Sequence, residues 1–368
     1  VSGSGTAAAS PLHILHCAET IKGGIASYLR DLLPLQRQQH GPGRIAVLIP
    51  ASQRSELPLP DGVELLCFDD SGSRFVRSLR LAGLALRCAR RRRAANVHIH
   101  STFAGAALRP LLALGARDSR LVYCPHGWAW DRPMPAAARW ATIAIERAWA
   151  RLSHAVICIS EHERRAALSH GLPADRLQLV HNGIAALAPP AGGRVPAWPP
   201  GRLRLLFIGR FDQQKGVDVL CDALRRLGPE AAALLAGGDV LGDGGARELP
   251  ANARALGWVD AAQLQDALAG ADALIVCSRW EGFGLVAAEA MRAGVAVVAS
   301  RVGGLPELVD DGVSGLLVPP GDAAALAEAL RGLQPEQLRR MGAAGRQRFE
   351  RLFTIDRVHQ RLETLYAG

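Results

Sequence analysis

Two glutamates eight residues apart, Glu281 and Glu289, flank a Gly282-Phe283-Gly284 turn in the segment running from Ser278. Carboxylates beside a glycine turn suit hydrogen bonding to hydroxyls or acid–base work. The apolar run 271–277 before them reads as a buried strand. Residues 285–293 read as a short helix closed by Gly294, and 295–299 as the next strand. The glutamates therefore belong to a loop and a helix at the carboxyl end of a strand, the edge where open α/β sheets bind ligands. A helix N-terminus there favours an anion. Spacing alone also fits an ordinary strand–loop–helix with two solvated glutamates.

A second group is Gly209-Arg210 followed by Lys215-Gly216. Two cations five residues apart on a loop suit a diphosphate, Arg by its planar fork and Lys as a point charge. They would neutralise a leaving nucleoside diphosphate. The chain has only two lysines, Lys22 and Lys215, so basic positions are otherwise filled by arginine. A lysine that persists beside glycine marks a place where a compact ammonium is wanted. His126, in Pro125-His126-Gly127, is placed at the end of strand 121–124, within reach of a sugar hydroxyl. Gly23-Gly24 follows a first strand and opens a helix, a weak phosphate cradle that lacks the full dinucleotide fingerprint. Gly237-Gly238 and Gly303-Gly304 repeat the pattern. His98, His100, His154, His162 and His170 show no metal-ligand spacing. His13 and His16 read as first-strand residues, so no metal site is expected.

These residues need a scaffold of alternating strands and helices. Strands are predicted at 12–17, 45–49, 63–68, 97–100, 121–124 and 155–159, with helices at 25–35 (ending near Pro34), 73–94, 103–114 and 135–153. The pattern restarts after 185–201, an Ala/Pro/Gly-rich linker. Strands follow at 203–208, 231–236, 254–257, 272–277, 295–299 and 315–318. A last helix, 354–366, is free to cross back to the first half. At 368 residues two domains are expected. Residues 1–10 read as a vector-derived or disordered tail.

Seven scattered cysteines without a C-x-x-C pair argue against a disulfide framework and for a reducing compartment. No apolar run reaches bilayer length. The first 181 residues hold 23 Lys and Arg against 13 Asp and Glu, and the rest hold 20 against 21. The excess concentrates at 73–94, where Arg90 to Arg93 close a basic, partly amphipathic helix suited to an anionic membrane surface or to plain solvation. Nucleic acid is disfavoured, since aromatic interleaving and a reader motif are lacking.

Together these motifs resemble the retaining glycosyltransferases of the GT-B fold, family 4, over residues 12–366. Gly23-Gly24, Pro125-His126-Gly127, Ile159-Ser160-Glu161, His181-Asn182-Gly183-Ile184, Gly209-Arg210, Lys215-Gly216, Gly237-Gly238 and Gly257-Trp258 come in the family's order, and Glu281 to Glu289 fits its E-x7-E signature. Asp311-Gly312 and Gly315 to Val318 complete the pattern. The resemblance implies an α/β protein of two doubly wound Rossmann-like domains facing a central cleft. It implies an acceptor-binding domain over 11–184 with a crossover helix 352–368, and a nucleotide-sugar donor-binding domain over 185–351.

The resemblance also implies roles. Arg210 and Lys215 contact the donor diphosphate, met by Gly23 and Gly24, with Gly209 and Gly238 in the same cradle. Glu281 and the backbone of Gly282, Phe283, Gly284 and Leu285 hold the donor sugar, as does His126. Glu289 holds the ribose, and Trp258 and Val259 lie near the base. The expected partners are a UDP- or GDP-sugar, a polyprenyl-diphosphate-linked or other glycan acceptor, and the inner face of the plasma membrane, with no nucleic acid, metal or cofactor. The segment around Cys124 to Arg132 is similar to enzymes of bacterial exopolysaccharide and O-antigen assembly. A nucleotide-sugar epimerase and a non-catalytic nucleotide-sugar-binding subunit are the alternatives. A phosphorylase would need a deep pyridoxal lysine, and Lys215 is on a loop.

Overall fold

Short apolar runs rich in Val, Ile, Leu and Ala pair as parallel strands, and the amphipathic segments between them cover the sheet faces. The computed structural model describes residues 11–187, 197–198, 203–239 and 248–368. The chain forms two compact units, residues 1–181 with 355–368, and residues 182–354.

The first unit runs β1 (Ile14–Ala18), α1 (Gly24–His40), β2 (Ile45–Pro50), β3 (Val63–Phe68), α2 (Arg74–Arg91), β4 (Asn96–His100), α3 (Thr102–Gly115), β5 (Arg120–Cys124), α4 (Ala136–Ala150), β6 (Ala155–Cys158), α5 (Glu161–Ser169) and β7 (Leu177–Leu179). Its seven strands lie in the order β3-β2-β1-β4-β5-β6-β7. Strand β1 has β2 on one side and β4 on the other, so the sheet reverses its order between β1 and β4. Every residue of β1, β2 and β4 is buried, as strands covered on both faces require.

The second unit runs β8 (Leu203–Ile208), α6 (Val217–Leu227), β9 (Ala231–Ala236), β10 (Ala253–Gly257), α7 (Ala261–Gly270), β11 (Ala273–Val276), α8 (Leu285–Ala293), β12 (Ala296–Ser300), α9 (Leu305–Leu308), β13 (Gly315–Val318), α10 (Ala323–Arg331) and α11 (Pro335–Leu352). Its strand order is β10-β9-β8-β11-β12-β13, which reverses between β8 and β11. Helix α6 buries Val217, Leu220, Ala223, Leu224 and Leu227 on one face. Each buried leucine there contributes about 1.5–3 kcal/mol over its exposed state. Helix α7 starts at a capping box in which Asp260 and Gln263 satisfy each other's backbone donors. Helix α8 has the predicted bounds, set by left-handed glycines at Gly284 and Gly294.

The last helix, α12 (Ile355–Ala367), belongs to the first unit and packs on α1. It buries Val358, Leu362 and Tyr366.

Two expectations need correction. Helix α1 does not end near Pro34 but runs through it to His40. An internal proline removes one backbone hydrogen bond and strains the turn, at about 3 kcal/mol. Burial of Leu32, Leu33 and Gln36 and packing against α12 offset this. The first strand begins at Ile14, because Leu12 and His13 enter through backbone bonds to Arg92 and Arg44. Most of the expected linker at 185–201, and the tail 1–10, lie outside the described residues.

Candidate functional site

In the second unit, four neighbouring strands end in glycine-bearing loops: 209–216 after β8, 237–238 after β9, 277–284 after β11 and 303–304 after β12. The loops from β8 and β11 emerge at the reversal of strand order, where open α/β sheets place ligands. Lys215 from the first meets Glu281 from the second, Nζ to Oε2 at 2.5 Å. Their side chains are only 18% and 12% exposed. The Ser278 hydroxyl donates to the same carboxylate oxygen at 3.3 Å.

The scaffold fixes this pair from both sides. Asp212 accepts the Lys215 backbone N–H at 2.9 Å. The Arg279 guanidinium grips both Asp218 oxygens, at 2.9 and 2.5 Å, and its backbone N–H donates to Gln214. Two glycines permit close backbone approach. A Cβ at Gly303, whose φ is +55°, would lie 1.6 Å from the Glu281 carbonyl oxygen. A Cβ at Gly237, whose φ is +132°, would lie 1.9 Å from the Gly209 carbonyl oxygen. No side chain fits either place.

Arg210 follows Gly209 but pairs within its own loop, with Asp212 at 3.0 Å and Gln214 at 2.8 Å. The Gly282-Phe283-Gly284 turn leads from Glu281 directly into the N-terminus of α8 at Leu285. The Phe283 ring is core and meets Phe353 edge-on at 5.6 Å. Glu289 lies in the middle of α8 and is half-buried. Trp258 and Val259 follow β10. The Trp258 indole is 65% exposed and lies against Gly238, whose ideal Cβ would be 3.2 Å from its Nε1.

In the first unit, His126 follows β5 with a left-handed φ of +54°, strain that a non-glycine residue accepts only when held. Its Nε2 is 2.9 Å from His100 Nδ1. Its ring meets Tyr28 of α1 edge-on at 5.1 Å. Burial pushes the His126 pKa down to about 3, so the ring is neutral at pH 7. Gly23, at φ +79°, caps the same helix α1, which starts at Gly24. The two sets, Gly23, Gly24 and His126 on one hand and the loops of the second unit on the other, lie in separate units.

Sequence reasoning missed Asp212, Ser278 and the Asp218–Arg279 clamp. It also read the histidines singly. Among the described residues, the possible ligand atoms of His16, His98 and His100 lie within 4.8 Å of one another, as do those of His13, His40 and Glu363. The available signal was the alternation His98–His100, which puts both rings on one face of β4.

Residues 22–186 match the family model described as Glycosyltransferase Family 4, and residues 202–334 match that described as Glycosyl transferases group 1. A phosphatidyl-myo-inositol mannosyltransferase of Mycolicibacterium smegmatis is 30% identical over 340 residues, 87% of this chain and 83% of that protein. An uncharacterized 41.2 kDa protein of the cps region of Klebsiella pneumoniae is 28% identical over 328 residues, 87% of this chain and 89% of that protein. The structure of Anabaena HepE in complex with UDP superposes with a TM-score of 0.78 at 21% identity, covering 97% of this chain and all of that one. The two parallel-sheet units, the glycine-loop site at the sheet reversal and these matches place the chain in glycosyltransferase family 4, with the GT-B fold.

Proposed function

We propose that this glycosyltransferase moves a hexose from a UDP- or GDP-sugar to a glycan acceptor, carried on polyprenyl diphosphate, with retention of anomeric configuration. The observation that carries the reading is the Lys215–Glu281 pair at the sheet reversal. A diphosphate entering between the glycine loops competes with Glu281 for the Lys215 ammonium. Once Lys215 turns to phosphate, the Glu281 carboxylate is free to accept sugar hydroxyls. Arg210, on the same loop as Lys215, adds its fork to the diphosphate. Gly209 and Gly238 let the backbone approach the donor, and Gly23 and Gly24 supply a glycine turn at the start of α1 in the first unit. Glu289 holds the ribose, and the exposed Trp258 face, with Val259, offers a surface for the base. HepE, a structural neighbour, is described in complexes with UDP and with UDP-glucose, which supports a nucleotide-sugar donor here.

In the reaction, the donor C1–O bond to phosphate breaks and the acceptor oxygen bonds C1 on the same face. The acceptor proton passes to the departing phosphate oxygen. Lys215 and Arg210 stabilise the charge that develops there. The step uses no protein nucleophile and no metal.

A membrane-borne acceptor fits the first unit's surface. Phe75 and Leu79 of α2, Leu114 of α3 and Trp140 of α4 are 57–74% exposed. Arg74 lies over the Phe103 ring at 4.0 Å, so cations and apolar groups share one surface. Large exposed apolar groups rimmed by arginine suit an anionic lipid interface. Among the described residues no helix is long and apolar enough to cross a membrane.

A thermal-shift screen of UDP-glucose, UDP-galactose, UDP-N-acetylglucosamine and GDP-mannose tests the reading. A donor at about 100 times its Kd stabilises by about 2.7 kcal/mol. A clear rise in Tm with one nucleotide-sugar, lost in Lys215→Met, is the expected result. No response to any of the four counts against it.

A further inference from the structure

The first unit buries more imidazole than its core needs. His16 on β1 and His98 and His100 on β4 are fully buried, at the point where the strand order of this sheet reverses. Hydrogen bonds join His16 and His100 in a line that runs from Gln36 to His126, in the loop after β5. Gln36 Oε1 is 2.9 Å from His16 Nε2, His16 Nδ1 is 3.0 Å from His100 Nε2, and His100 Nδ1 is 2.9 Å from His126 Nε2.

A neutral imidazole has one N–H and one lone pair, so each ring passes on the polarity it receives. With the Gln36 amide oriented so that Oε1 faces His16, that oxygen accepts, and His16 carries its proton on Nε2 and accepts at Nδ1. His100 must then donate from Nε2 and accept at Nδ1. His126 must donate from Nε2, and its Nδ1 is left as a bare lone pair.

We propose that Gln36, His16 and His100 are positioning residues that lock His126 in the Nε2–H tautomer, so that Nδ1 is presented as an acceptor to a ligand hydroxyl. The assignment of that hydroxyl to the donor sugar rests on the proposed function, whereas the tautomer does not.

Three features support the relay. Burial keeps the rings neutral, with His16 pushed down to about 4 and His98 and His100 well below their ordinary range. His126 holds a left-handed backbone, which its bond to His100 helps to over-determine. Five of the six ring nitrogens of His16, His98 and His100 are engaged by protein groups, His98 Nδ1 by the Tyr366 hydroxyl at 2.6 Å. Both nitrogens of His16 and of His100 are engaged, so a metal on these three rings would have to displace at least one bond of the line.

The test is nitrogen-15 NMR of the imidazole rings of the full chain between pH 6 and 8, for the parent, Gln36→Leu and Gln36→Glu. The relay requires pyrrole-type Nε2 and pyridine-type Nδ1 on His126 in the parent. In Gln36→Leu the two His126 signals should move toward each other as tautomers mix. In Gln36→Glu, whose carboxylate still accepts, the parent pattern should return. A protonated Nδ1 on parent His126 would overturn the relay even if Gln36→Leu did not fold. So would an unmoved His126 in a folded Gln36→Leu, or added Zn2+ shifting His16, His98 and His100 together. Losing one oriented hydrogen bond corresponds to about a tenfold fall in kcat/KM. Mixed tautomers in Gln36→Leu with parent turnover would refute the sugar contact and leave the relay standing. Reduced turnover with a fixed tautomer would refute the relay alone.

Discussion

Lys215→Met is the most informative substitution, because it separates binding from stability. The ammonium lies 2.5 Å from Glu281, in a position 18% exposed. At an effective dielectric near 20, two unit charges about 4 Å apart interact by about 4 kcal/mol. Competition from Glu281 and desolvation reduce this, and charge-assisted hydrogen bonds are worth about 1.5–3 kcal/mol net. Loss of the lysine should therefore weaken UDP or GDP, whichever the parent prefers, by about 10- to 150-fold. The same change strands a mostly buried carboxylate and should lower stability by about 1–2 kcal/mol, discounted from a fully buried pair for its partial exposure. Glu281→Gln frees the ammonium, so nucleotide affinity should hold or tighten while transfer is lost. The double variant Lys215→Met/Glu281→Gln should regain stability without regaining affinity. Calorimetric titration with the nucleotide and thermal melting read the two quantities separately. Nucleotide affinity within twofold of the parent in Lys215→Met, or an equal loss in Glu281→Gln, would refute the phosphate role.

Other perturbations probe the scaffold. Gly303→Ala places a Cβ 1.6 Å from the Glu281 carbonyl oxygen, so the Glu281 loop must shift; donor binding should fall at least about tenfold while a folded protein remains, read by titration and circular dichroism. Arg109 and Glu146 form an ion pair at 2.6 Å with side chains 0% and 1% exposed, so Arg109→Met should destabilise by about 3–5 kcal/mol in urea unfolding. The fully buried His16, His98 and His100 have folded pKa values below their unfolded ones, so their contribution is complete above pH 6.5 and is lost as pH falls toward the folded values. Between pH 7 and pH 5 His16 alone should cost about 2 kcal/mol, and His16→Gln should flatten the fall in Tm over that window.

Local periodicity and glycine punctuation made the second-unit elements legible. The run 285–293 between two glycines became α8 with the predicted ends, because both caps are sequence-local. Lys215 and Glu281 were singled out by residue type and loop context. Their direct contact was not, since it depends on β8 and β11 being neighbours in the sheet. The histidine line was illegible for a similar reason. His16 and His98 are register partners across β1 and β4, a pairing no local pattern encodes. Gln36 was lost because proline was read as a helix end, although tertiary packing on α12 carries α1 past it.

The most direct test of the account is the anomeric configuration of the product. The protein is incubated with the α-linked nucleotide-sugar that stabilises it and a polyprenyl-diphosphate-linked sugar, and the new linkage is read by proton NMR. Retention gives an α-linked product that disappears in Glu281→Gln. A β-linked product, or undiminished transfer by Glu281→Gln, would contradict it.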